Sequence, residues 1–377
     1  MAVIMQELMQ GMSDGFGIRL IAGESGVFKS AEWIYAAEDI GNADFLKAGQ
    51  LIITTGYFKN SGISLESFIS TMICKRAAGM IVNTGKYIRE TEITAEIKEL
   101  CDRQAFALYT MPWEAHIADV TQMLCGRIFE REREIHNIAM GIKGILFMPE
   151  RTESYLAELE SAGFDTERKR RIVCLSMHAD ENRCAAIMSG YGIRHYVFEC
   201  RGETLMICDE NERIGRAVSE LCEKLRVTAG VSMAMDGAQH IAAMYEQAQT
   251  AKSAANIEAV RMLEYEKTGA LALIFAVKDK TLLRNMYKSR LSELERYDEE
   301  HGGELVNTLF CYLREGASPA ETAKRMYIHR NTIGYRMNKI REICGKSFED
   351  AQDRYDYLTA LYIKKALESE DKRKERG

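Results

Sequence analysis

The 377 residues carry 46% hydrophobic and 28% charged side chains, enough apolar material for more than one buried core. At this length two or three domains are expected. A net charge of −6 excludes a chain that is basic throughout, no apolar run approaches the roughly 20 residues a membrane span needs, and three prolines exclude long Pro-rich linkers. The amino-terminal MAVIMQELMQGM lacks the basic region and cleavage site of a secretory signal. Ten cysteines without a CxxC pair read as reduced, mostly buried side chains, so a cytoplasmic location is expected.

To about Glu130 the chain alternates strand-like and helix-like text. Short apolar runs at Ile18–Ile21 and Ala31–Ala36 precede a compact strand, Leu51–Thr55, that breaks at Gly56. Helical spacing over Leu65–Ala77 leads to a second strand, Gly79–Asn83. A helix over Ile93–Arg103 leads to a third, Ala105–Tyr109. Strand and helix alternating at these lengths predict a parallel βαβ-type sheet. Ligands of such sheets sit beyond the carboxyl ends of the strands. Those ends are Thr54-Thr55-Gly56, Asn83 to Lys86, and Pro112-Trp113-Glu114. Thr54, Thr55 and Gly56 offer hydroxyls and N–H groups, Lys86 a cation, and Trp113 with Glu114 an apolar wall and a charge. Each also has a plain structural reading: a capped strand end, a solvated lysine, an aromatic packed over the sheet edge.

Ile117 to about Ile145 is one long helical pattern, with Ile117, Val120, Leu124, Ile128, Ile135 and Ile138 on a shared side. It reads as a connector or a dimerising coiled coil, too short to establish heptads. Tyr155–Gly163 continues as helix. A second domain begins near Arg171, with strand Ile172–Met177, helix Asn182–Ser189, and a hairpin of Tyr196–Cys200 and Thr204–Cys208 around Arg201-Gly202-Glu203. Helix Ile214–Lys224, strand Val227–Met233 and helix Ala238–Ala255 complete an α+β, ferredoxin-like layer. From Ala270 onward everything reads helical, ending in a solvated tail over Ser369–Gly377.

Within that helical end, Ser318 to Lys346 stands out. Ser318, Pro319 and Glu321 spell a capping box with proline at the first helical position. Tyr327-Ile328-His329 is a tight connection. In the next helix Ile333, Met337, Ile340 and Cys344 share one face, and Gly345 suits a left-handed stop. Asn331, Tyr335 and Asn338 point almost opposite, with Thr332 and Lys339 beside them. This is the shape of a helix-turn-helix. From Lys324 to Lys346 seven bases face one acid, a net of +6 that leaves −12 for the rest of the chain. A basic island on an acidic protein is the footprint of phosphate binding; a hairpin with a merely solvated charged face is the plainer alternative.

The segment ELVNTLFCYLREGASPAETAKRMYIHRNTIGYRMNKIREICGKSFEDAQDRYDYLTAL resembles the carboxyl-terminal helix-turn-helix of PucR-type transcription regulators. Its most specific part is His329 to Ile333 with Tyr335-Arg336, and Asp353-Arg354 also fits. IAGESGVFKSAEWIYAAED, LKAGQLIITTG and ALYTMPWEAHIADVTQML are similar to that family's amino-terminal sensor domain. The middle resembles its divergent GGDEF-like domain. The resemblance implies a ligand-responsive DNA-binding regulator, often an activator of genes for using a nitrogen or carbon source, and it fixes no ligand. It implies that Arg330, Asn331, Thr332, Tyr335 and Arg336 lie on the recognition helix; helical phase places Arg336 on a flank, suited to phosphate.

The fold expected is multi-domain α/β and α+β. Residues 1–130 form a PucR-like ligand-sensing domain, 131–165 a helical connector, 166–300 a degenerate GGDEF-like domain with trailing helices, and 301–377 an all-α helix-turn-helix domain. Expected DNA contacts are Arg330, Asn331, Thr332, Tyr335, Arg336 and Lys339, with Asn331 at a base edge, since Asn suits adenine. Expected partners are double-stranded DNA, a small-molecule metabolite effector, a second copy or a higher homo-oligomer, and RNA polymerase, with no membrane. No cofactor, metal or catalytic residue is expected. A nucleotide cyclase would need paired glycines and metal-holding acids, and the middle offers only Arg201-Gly202-Glu203 and Asp180. Nucleotide processing there, or a helical scaffold that binds protein, are the rival readings.

Overall fold

The computed structural model describes residues 3–39, 41 and 43–374. The last three residues of the tail expected to be solvated, 375–377, lie outside the described residues. By contacts the chain divides into two compact units, residues 1–172, 177–225 and 234–243 forming one and residues 173–176, 226–233 and 244–377 the other.

The first unit opens with β1 (Val3–Ile4), α1 (Met5–Leu8), α2 (Met12–Phe16), β2 (Arg19–Ala22), β3 (Ser30–Ala31), β4 (Trp33–Ala36) and β5 (Gln50–Thr54). Next come α3 (Leu65–Cys74), β6 (Gly79–Thr84), α4 (Ala95–Arg103) and β7 (Ala107–Pro112). Five strands form one sheet in the order β2-β7-β6-β5-β4. β4 to β7 are parallel, as the alternation predicts, whereas β2 runs antiparallel to β7 with an irregularity between Leu20 and Ala22. An antiparallel strand is tolerated at such an edge because no crossover helix has to return it. β6 is buried along its whole length, so its apolar text is continuous rather than alternating. One face of the sheet packs Phe68, Ile69 and Met72 of α3 with Ile97 and Cys101 of α4. The other face packs Met5, Leu8 and Met12 from the amino terminus. β1 paired with β3, both very short, was not legible in the sequence.

The long helix α5 (Ile117–Phe147) does two jobs. Val120, Leu124 and Ile128 join the same core as the amino-terminal segment. Further on, Ile138, Ile142 and Ile145 are buried while Ile135, expected on the same side, is only half-buried. That second half packs on α6 (Thr152–Ser161), and the approach is set by two glycines. A Cβ on Gly144 would fall 2.4 Å from the Tyr155 ring, and one on Gly141 2.9 Å from Leu159.

After α6 come β8 (Lys169–Leu175), α7 (Glu181–Gly190), β9 (His195–Cys200), β10 (Glu203–Asp209), α8 (Ile214–Leu225), β11 (Ala229–Val231) and β12 (Met235–Asp236). In the first unit β9 and β10 form the expected antiparallel hairpin, turning at Arg201 (φ 54°) and Gly202 (φ 75°), the positive-φ pair that a two-residue hairpin favours. Arg170, almost fully buried, is held by Asp209 at 3.1 Å and the Asp165 carbonyl at 2.5 Å, over the Phe164 ring.

In the second unit residues 173–175 of β8 run antiparallel to β11. After α9 (Ile241–Glu258) the chain forms β13 (Met262–Glu264), parallel to β11 and too short to be legible beforehand. The strand expected over Val227–Met233 is thus a three-residue β11. The helices α10 (Ala270–Ala276), α11 (Lys280–His301), α12 (Leu305–Arg314), α13 (Pro319–Met326), α14 (Arg330–Cys344) and α15 (Ala351–Lys374) close the chain. Among the described residues no helix is long and apolar enough to cross a membrane.

Gly144→Val should lower the unfolding free energy by about 1–3 kcal/mol, the usual range for overpacking, and so lower the denaturant midpoint. An unchanged midpoint would mean that α5 and α6 can separate at little cost.

Candidate functional site

The carboxyl-terminal helices are fixed by one core. α12 contributes Leu305, Leu309, Phe310 and Leu313, α13 Ala323, α14 Ile333, Met337 and Ile340, and α15 Tyr357, Ala360 and Leu361. The α12 amino terminus is capped by Asp298, whose carboxylate accepts from the N–H of Leu305 at 2.8 Å and of Val306 at 2.9 Å. In α13 Ser318 Oγ accepts from the Glu321 N–H at 3.4 Å, with Pro319 at the first helical position. The reciprocal half of the expected capping box is missing. The Ser318 N–H already donates to the Glu315 carbonyl, and the Glu321 carboxylate pairs with Lys324 at 2.7 Å instead. Tyr327, left-handed at φ 56° and 95% exposed, ends the helix. His329 Nδ1 accepts from the Asn331 N–H at 3.2 Å and so caps α14, and left-handed Gly345 ends it.

With Ile333, Met337 and Ile340 buried, the helical period forces the opposite side outward. Arg330, Asn331, Thr332 and Asn338 are exposed, and Tyr335 is 74% exposed. Ser318, Pro319 and Ala320 from α13 and Arg330, Asn331, Gly334, Tyr335 and Asn338 from α14 line an open hollow of about 600 Å³. A backbone N-terminus, amide side chains, a guanidinium and a phenol therefore converge on one concave surface, the donor set that phosphates and base edges require.

The seven bases are less free than their count implies. Lys324 pairs with Glu321, Lys339 with Glu342 at 3.0 Å and Lys346 with Asp353 at 2.8 Å. The Glu342 hydrogen bond holds the Lys339 ammonium above its usual pKa, and Lys339 also lies 5.4 Å from the Tyr297 ring centre. Arg341 donates to Asn338 Oδ1 at 2.9 Å and to the Ser347 carbonyl. Arg336, expected to reach DNA, is turned back toward α12, donating through Nη1 to Glu304 Oε2 at 3.2 Å and Thr308 Oγ1 at 3.1 Å. Arg325 and Arg330 have no ion-pair partner among the described residues, which leaves their guanidiniums open to an external anion.

At the carboxyl ends of the parallel strands the predicted donors are brought together and then occupied from within. Glu38, just after β4, accepts from the Thr55 N–H at 2.6 Å, the Thr55 hydroxyl at 2.8 Å, the Tyr57 N–H at 3.1 Å and the Thr54 hydroxyl at 3.2 Å. The Gly56 N–H donates to Thr54 Oγ1, and a Cβ at Gly56 (φ +86°) would fall 2.4 Å from Ile88 Cδ1. Thr54, Thr55 and Gly56 are thus a cradle for the protein's own carboxylate. Sequence reading missed Glu38; its signal was that β4, if parallel to β5, ends beside Thr54. Across β6 and β7, Tyr57, Tyr87 and Trp113 form an edge-to-face row with centroids 5.6 and 5.9 Å apart. Lys86 Nζ lies 5.2 Å from the Tyr87 centroid and 5.4 Å from that of Trp113. Glu114 is exposed.

In the middle section Asp180 caps α7, its carboxylate accepting from the Asn182 and Arg183 N–H groups, and the Gly202 N–H donates to Glu199. Burial pushes the Cys344 thiol and the Cys101 thiol each up to about 11 and that of Cys184 to about 12, which suits inert packing rather than nucleophilic chemistry.

Comparison with known proteins adds the following. Residues 305–363 match the model of the PucR C-terminal helix-turn-helix domain, and residues 9–128 that of the Purine catabolism regulatory protein-like family. The Purine catabolism regulatory protein of Bacillus subtilis (strain 168) is 36% identical over 85 residues, 22% of this chain and 16% of that protein. The Proline-responsive transcriptional activator PutR of the same organism is 30% identical over 103 residues, 27% and 25% of the two chains. The Carbohydrate diacid regulator of Escherichia coli (strain K12) is 36% identical over 64 residues, 17% of each. The chain therefore spans a quarter or less of the length of these relatives. The solved Regulator of Polyketide Synthase Expression from Bifidobacterium adolescentis overlaps 59% of this chain and 90% of its own at 16% identity, with a TM-score of 0.29, too loose to bear on the fold.

The geometry separates two kinds of arginine. Arg330→Ala should reduce the slope of log affinity against log salt by about one, the signature of a lost phosphate contact. Arg336→Ala and Thr308→Val should both weaken DNA binding while leaving that slope unchanged. An Arg336→Ala slope equal to that of Arg330→Ala would restore Arg336 to the phosphate.

Proposed function

We propose that this chain, which carries at its two ends the amino-terminal and helix-turn-helix domains of PucR-type regulators, is a metabolite-responsive DNA-binding transcription regulator of catabolic genes. The observation that carries the reading is the outward face of α14. Asn331 and Tyr335 stand exposed over a hollow bordered by Arg330 and the start of α13, while the buried side of the same helix locks its orientation. Asn331 reads a base edge, Thr332 and Tyr335 make the neighbouring groove contacts, and Arg330 takes a phosphate. Lys339 and Arg336 add their charge only by leaving their internal partners.

The relatives' names point to purines, proline and carbohydrate diacids in turn, so the regulated genes belong to nutrient use and the effector is set by the individual protein. In this reading residues 1–130 bind the effector, 131–165 connect, 166–300 are a GGDEF-like relay without enzymatic activity, and 301–377 bind DNA. Asp180, engaged as a helix cap, supports the relay reading over nucleotide chemistry. The protein acts in the cytoplasm as a dimer or larger homo-oligomer, activating transcription with RNA polymerase. Two copies present two α14 helices to half-sites about 34 Å apart, one turn of DNA.

A gel-shift titration of the full chain on its own promoter region, across a salt series, tests this. Binding should exceed that to unrelated DNA by about a thousand-fold or more, and Asn331→Ala should shrink that ratio more than it weakens non-specific binding. Equal affinity for promoter and unrelated DNA would remove the regulatory reading in favour of a scaffold.

A further inference from the structure

The reading of residues 1–130 as an effector-binding domain leaves the effector's chemistry open, and the carboxyl ends of β5 to β7 narrow it. The Thr54 and Thr55 hydroxyls and the Thr55 and Tyr57 N–H groups are already engaged by Glu38, so they are not the free donors the strand end advertises. What remains open is the aromatic row itself and the lysine beside it. Trp113 is 37% and Tyr57 53% exposed, and Lys86 beside them has no ion-pair partner among the described residues. Gly85, at φ +134°, brings the backbone so close that a Cβ would sit 2.9 Å from that of Trp113, which fixes Lys86 next to the indole.

A second feature lies beneath the loop that carries Trp113. Asn83, the last interior residue of β6, is 2% exposed. Its Nδ2 donates to the Pro112 carbonyl at 3.1 Å and the Ala115 carbonyl at 3.4 Å, under the loop that carries Trp113 and Glu114. Its Oδ1 has no hydrogen-bond partner. A buried amide oxygen without a donor is costly to keep and is usually answered by something that can donate to it. Glu114, exposed on the same loop, is a second acceptor.

We propose that Lys86, Trp113, Tyr87, Asn83 and Glu114 form a site for a small planar anion that carries ring N–H groups, such as an acidic heterocycle. The ring lies against Trp113, its negative charge meets Lys86, and its N–H groups face Asn83 Oδ1 and Glu114. A neutral ring leaves Lys86 without a counter-charge, and an aliphatic carboxylate leaves the aromatic surface uncovered.

The chain has two tryptophans, Trp33 and Trp113, so 5-fluorotryptophan labelling of the full-length protein gives two fluorine resonances, assigned with Trp33→Phe. Orotate, which has the planar ring, the N–H groups and the carboxylate, should shift the Trp113 resonance saturably and leave that of Trp33 in place. Nicotinate, which lacks the ring N–H groups, should bind more weakly. Uracil, which lacks the carboxylate, should need about ten-fold higher concentration or more, the worth of one lost charged contact, and acetate, which keeps the charge but lacks the ring, should also bind more weakly than orotate. Lys86→Ala should weaken orotate by about ten-fold and Lys86→Arg should retain it, with an unchanged Trp33 resonance showing that the fold persists. An unmoved Trp113 signal, orotate no tighter than uracil or acetate, or an indifferent Lys86→Ala would overturn the proposal. The readout does not involve DNA, so a Trp113 shift that leaves promoter affinity unchanged supports the site while counting against the effector's regulatory role.

Discussion

The burial of Ile333, Met337 and Ile340 in the core shared with α11, α12, α13 and α15 is the constraint on which the proposed DNA-facing surface depends. Three apolar side chains on one helical stripe leave α14 a single stable roll angle, and at that angle Asn331 and Tyr335 face outward. Emptying any of these positions by truncation to Ala would cost on the order of 2–5 kcal/mol, far more than any single surface ion pair in the region contributes. The polar face is therefore positioned by packing. Its local charges tune the surface rather than hold it in place.

Arg336 illustrates the division. Its guanidinium ties α14 to Glu304 and Thr308 of α12, adding a polar clamp next to the apolar stripe. Asp298 performs a comparable service one element earlier, joining the end of α11 to the start of α12 through two backbone N–H groups. The cation count of the region overstates the field it presents, because Glu321, Glu304, Glu342 and Asp353 each neutralise one base. In the proposed DNA complex most of the attraction for phosphate then falls to Arg325 and Arg330 together with the exposed helix starts.

Much of this was legible in the sequence because it rests on local rules. Ser318-Pro319, the left-handed stop at Gly345 and the spacing of Ile333, Met337 and Ile340 announce helices, their ends and their buried side. The parallel strands were likewise readable from continuous apolar text. What escaped prediction is what tertiary neighbours decide. Glu321 pairs with Lys324 because Ser318 N–H found a partner in Glu315, Arg336 turns inward because Glu304 and Thr308 lie within its reach, and Glu38 fills a cradle that looked like a vacant ligand site. Very short strands such as β1, β3 and β13 carry too few residues for any periodicity to register.

The central claim is that the Asn331–Tyr335 side of α14 enters a major groove, and methylation interference tests it most directly. Dimethyl sulfate marks guanine N7 on the major-groove edge and adenine N3 on the minor-groove edge. Guanine N7 methylation within the bound site should block binding if α14 lies in that groove. Interference confined to adenine N3, or none at either position, would contradict it.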